Sequence, residues 1–68
     1  MTLSAVLTPA EERGFVALTP ETGTTSQGGS VEEALENLRE ATELYLEEFP
    51  LVSPGSSLLT TFEVAERA

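Results

Sequence analysis

The sequence predicts an α+β fold: a two-layer β-β-β-α-β unit, an antiparallel sheet with one helix packed on one face. Three observations predict it. The first 28 residues break into short stretches of strand character separated by proline and glycine. A capped amphipathic helix follows from Ser30 to about Glu48. A further alternating stretch runs from Leu58 to Val64. The 68 residues are read as one domain, 1–68.

The elements follow in order. From Thr2 to Thr8, Leu3, Ala5 and Leu7 alternate with Thr2, Ser4, Val6 and Thr8, the period of a half-buried strand. Pro9 and the charged residues up to Arg13 form a hairpin connection. Gly14 to Leu18 is a second strand, apolar on both faces, which calls for cover on both sides of the sheet. Thr19 to Gly23 is a turn, and Thr24 to Gln27 a third, brief strand. Ser30-Val-Glu-Glu33 is a capping box: the Ser30 hydroxyl is expected to accept from the Glu33 N–H while the Glu33 carboxylate reaches back to the Ser30 N–H. Pro50 stops the helix. At 100° per residue, Val31, Ala34, Leu35, Leu38, Ala41, Thr42, Tyr45, Leu46 and Phe49 share a core-facing side. Pro54-Gly55 is the turn into the fourth strand, where Leu58, Thr60, Phe62 and Val64 point one way and Leu59, Thr61 and Glu63 the other.

Size and charge exclude several functions. A core this small rarely supplies more than about 3–5 kcal/mol, so small domains need a staple. With no cysteine or histidine, disulfides and the usual zinc ligands are absent. Oligomerisation remains, and a homodimer or higher homo-oligomer is expected. Three cations against twelve acids, net −9, cannot displace the counterions of a nucleic acid and oppose an anionic membrane. A basic partner is favoured. No stretch is apolar enough to span a bilayer and no basic leader precedes an apolar run, so a cytoplasmic protein is expected.

Chemistry is poorly provided for. Serine and threonine lack a histidine or lysine base, so no enzyme of that type is expected. Gly28-Gly29 before a helix lacks phosphate-loop spacing and reads as a tight turn. No cofactor or metal is expected. The candidate site is the acidic helix side, Glu36, Glu40, Glu43 and Glu47 with Leu44 on its flank. Paired glutamates could hold a hard cation, but on a side turned away from the core they suit a solvated or partner-binding face better.

The run Gly14-Phe-Val-Ala-Leu-Thr-Pro-Glu21, then Gly23, Thr25-Ser-Gln-Gly28, Ser30-Val-Glu-Glu-Ala-Leu-Glu-Asn-Leu-Arg-Glu-Ala41 and Tyr45-Leu-Glu47 resembles the core of the HicB-type antitoxins. The resemblance covers about half of the chain. It implies a partial RNase H-like fold without nuclease activity and a partner of the HicA type, a small basic mRNA interferase. The C-terminal DNA-binding domain that many family members carry is not expected here. A nuclease remnant is the weakest alternative, because the strands expected here offer only Glu63. A stand-alone homo-oligomer with a structural role is the stronger one.

Overall fold

The computed structural model describes residues 1–51 and 57–66. Strands β1 (Val6–Pro9), β2 (Phe15–Thr19) and β3 (Thr24–Gly28) form a sheet of order β1-β2-β3, both pairings antiparallel, and helix α1 (Val31–Glu48) packs on it. This is an α+β, two-layer arrangement.

The hairpins close where the turn residues allow. Ala10 N–H donates to Gly14 O at 2.9 Å below β1–β2, and Gly23 N–H donates to Thr19 O at 2.8 Å below β2–β3. Gly14 and Gly23 carry φ of +86° and +79°, the region that penalises a Cβ. Gly28 serves close approach instead: a Cβ there would stand 2.5 Å from the backbone nitrogen of Ala34. Glycine therefore lets the end of β3 run against the first turn of α1.

β1 is shorter than the alternation predicts, starting at Val6 rather than Thr2 and continuing through Pro9. The register gives the reason. Val6 pairs with Leu18, so two residues further back the strand would meet Pro20, which has no N–H to offer and already belongs to a turn. The Ser4 N–H turns to the Glu21 carboxylate instead, at 3.0 and 3.1 Å from its two oxygens. Pro9 is tolerated at the other end because β1 is an edge strand.

The core is small. Ala17, Ala34 and Leu38 are buried, with Leu7 and Phe15 packed against them, and Thr19 and Thr42 are buried polar residues. Two expectations are corrected here. Of the core-facing helix side only Ala34, Leu38 and Thr42 are buried, while Val31, Leu35, Tyr45 and Phe49 remain exposed. An 18-residue helix is about 27 Å long and a five-residue strand only about 17 Å, so its last turns overhang the sheet. Tyr45 and Phe49 pack on each other there, with ring centroids 5.1 Å apart. The fourth strand at Leu58–Val64 is not formed either. Residues 57–66 have no regular structure, and Leu58, Phe62 and Val64 are 86, 83 and 71% exposed. A strand exists only through its ladder, and this segment pairs with no described strand. The Pro54-Gly55 turn lies outside the described residues.

Candidate partner-binding face

The cap sets the phase of α1. Ser30 is extended (φ −139°, ψ 168°) and its Oγ accepts from the Glu33 N–H at 3.1 Å. The return bond differs from the expected capping box: the Glu33 carboxylate accepts from the N–H of Gly29, one residue earlier than Ser30. Glu32 and Glu33 stand in the first turn, where the helix dipole favours them.

From that start, Ala34, Leu38 and Thr42 turn to the sheet at four-residue intervals. Glu36, Glu40, Glu43 and Glu47 then fall within about 60° of arc on the far side, over about 17 Å of helix. All four are exposed, and Leu44 beside them is 64% exposed. The structure therefore brings all five predicted residues onto one open surface. Arg39 is the cation beside this row and pairs with Glu36, both side chains more than half exposed. Its guanidinium is held above the ordinary arginine range, first by the hydrogen bond to Glu36, then by the charges of Glu36, Glu43 and Glu40. Like charges at i,i+4, Glu36 with Glu40 and Glu43 with Glu47, each cost the free helix a few tenths of a kcal/mol. Among the described residues no three acidic side chains converge as a metal-holding cluster.

Two polar contacts between separate segments escaped the sequence reading. Asn37 Nδ2 donates to the Gln27 carbonyl of β3 at 2.8 Å. An amide on a helix flank, one step from the glutamate row, is the only signal that could have found it. Glu21 reaches Ser4 across seventeen residues, which no local pattern encodes. Desolvation pushes the Glu21 carboxyl up, but hydrogen bonds from its own backbone, from Ser4 and from Ser57 outweigh this and hold it below its ordinary value.

On the other flank of α1, an open groove of about 610 Å³ lies between residues 1–5 and the helix. Leu3, Leu35, Leu38 and Leu46 line it together with Thr42, whose buried hydroxyl has no hydrogen-bond partner among the described residues.

A UPF0150 protein of Helicobacter pylori (strain J99 / ATCC 700824) is 39% identical to this chain over 71 residues, spanning 96% of this chain and 97% of the relative. The chain belongs to the UPF0150 family. Members thus include a relative that aligns almost end to end with this chain, and its name states no activity or partner. No protein-family model and no solved structure matches the chain. No helix of the described residues is long and apolar enough to cross a membrane.

Proposed function

We propose that the chain is a non-catalytic protein-binding module of the HicB antitoxin kind, acting in the cytoplasm on a small basic HicA-type toxin. The observation that carries this reading is the row Glu36, Glu40, Glu43 and Glu47 with Leu44, turned to solvent opposite the core. Four carboxylates in one row repel each other in the free protein, and a cationic partner would relieve that repulsion on docking. Leu44 supplies an apolar contact inside the charged surface. The resemblance from Gly14 to Glu47 names the partner class. The same charge repels RNA and DNA, so the module would neutralise a nuclease by contact with the enzyme rather than with its substrate.

The test is co-purification with a HicA-type toxin encoded beside the chain, repeated with the four glutamates changed to glutamine. Affinity should fall at least tenfold and lose most of its salt dependence. Unchanged affinity and salt response would remove the acidic face from the mechanism. A stand-alone homo-oligomer is the second reading, favoured by the small core and the exposed apolar side chains of residues 57–66.

A further inference from the structure

The chain carries a strand pattern without a partner and a strand edge without a partner. Leu58, Phe62 and Val64 repeat on one side of an extended register, yet each is more than two-thirds exposed. Among the described residues β1 pairs with β2 alone, which leaves its other edge without a neighbouring strand there. Residues 1–5, which lead into β1, and the helix enclose the groove lined by Leu3, Leu35 and Leu46, with the Thr42 hydroxyl, unpartnered among the described residues, at its wall.

We propose that residues 57–66 of one chain add as a strand to the free edge of β1 in a second copy, laying Leu58, Phe62 and Val64 into the groove. Both copies do this, so the exchange is reciprocal. This rests on the self-association reading and names its surface.

The occupant follows from three observations. Ser57, Leu58 and Leu59 already lie beside Ser4, Ala5 and Val6, so the segment starts at the β1 end of the molecule. The rest is left open to solvent, with Phe62 and Val64 83 and 71% exposed, and the chain is extended: the radius of gyration is 14.1 Å with a longest dimension of 47 Å, whereas a compact chain of this length has a radius of about 11 Å. The area also suffices. At about 100 Å² of apolar surface for each of Leu58, Phe62 and Val64, two tails and the surfaces they cover come to on the order of 1,200 Å². That lies in the range of roughly 1,200–2,000 Å² typical of stable interfaces. Charge offers no competing attraction, since both copies are strongly negative and the exchanged row is apolar.

The test uses the full chain. Sedimentation should give twice the chain mass, and Phe62→Glu with Val64→Glu should return it to one chain mass with the helical circular dichroism retained. A dimer mixed from differently isotope-labelled chains should show nuclear Overhauser contacts from Phe62 and Val64 of one chain to Leu3, Leu35 or Leu46 of the other. A monomer at high micromolar concentration overturns both self-association and the exchange. A dimer whose Phe62 and Val64 contacts all lie within one chain, or whose mass the double variant leaves unchanged, overturns the exchange alone.

Discussion

The side-chain amide of Asn37 on the helix donates to the main-chain carbonyl of Gln27 on β3, at 2.8 Å. The bond ties the sheet edge to α1 at a position between Glu36 and Glu40 of the glutamate row. Asn37→Ala removes the donor and leaves the carbonyl to water, because the contact is exposed. The expected loss is about 0.5–1.5 kcal/mol in urea denaturation. Faster amide exchange in β3 than in β2 should accompany it.

Gly28 and Gly23 separate two kinds of glycine requirement. Gly28→Ala drives a Cβ into backbone at the start of α1 and should cost about 1–3 kcal/mol, the range of an overpacked core. Gly23→Ala meets nothing within 4 Å, but its positive φ remains, so about 1 kcal/mol is expected. Gly23→Asn should recover part of that loss, and no polar residue should rescue Gly28. Paired denaturation curves of the three variants check this.

Replacing Glu36, Glu40, Glu43 and Glu47 with glutamine should stabilise the free protein slightly while weakening its contact with a basic toxin. Each relieved i,i+4 repulsion is worth about 0.2–0.5 kcal/mol. A rise in the thermal midpoint together with lost binding identifies a surface kept for a partner at the expense of stability. Loss of binding with a lowered midpoint would point to damage of the fold instead.

Salt should act in opposite directions on the two associations. Binding of a basic toxin weakens as salt screens the attraction. Self-association joins two bodies of net charge −9 through apolar side chains, so salt screens a repulsion and strengthens it. Sedimentation and toxin titration at about 50 and 500 mM sodium chloride check both signs.

The Glu21 carboxyl gives a pH dependence with a defined sign. Its folded value lies below the ordinary 4.5, so the folded state favours the ionised form. Its contribution is fully present above the unfolded value and is lost as pH falls from there through the lowered folded value. Glu21→Gln should remove that part of the acid destabilisation and leave the curve above pH 6 parallel to that of the unchanged protein.

The helix was legible from residues alone because its signals are local. Ser30 and Glu33 mark the start, Pro50 the stop, and the period of Ala34, Leu38 and Thr42 the inward side. The same periodicity placed the glutamate row. The limits of β1 were not legible, since they depend on which residue of β2 stands opposite, and Pro20 enters only through that register. The exposure of Tyr45 and Phe49 was hidden for a similar reason: periodicity gives direction, not how far the sheet extends beneath. Leu58 to Val64 alternates as a strand does, but a pattern cannot supply the neighbour that makes it one.

The overhang of α1 makes the molecule its own optical reporter. The chain has one tyrosine and no tryptophan, so near-ultraviolet emission arises from Tyr45, whose ring lies against Phe49 beyond the sheet. Far-ultraviolet dichroism averages every turn of the helix, whereas that emission senses only its last turns. Melting followed both ways therefore reveals whether the helix end loosens before the body, without any attached dye.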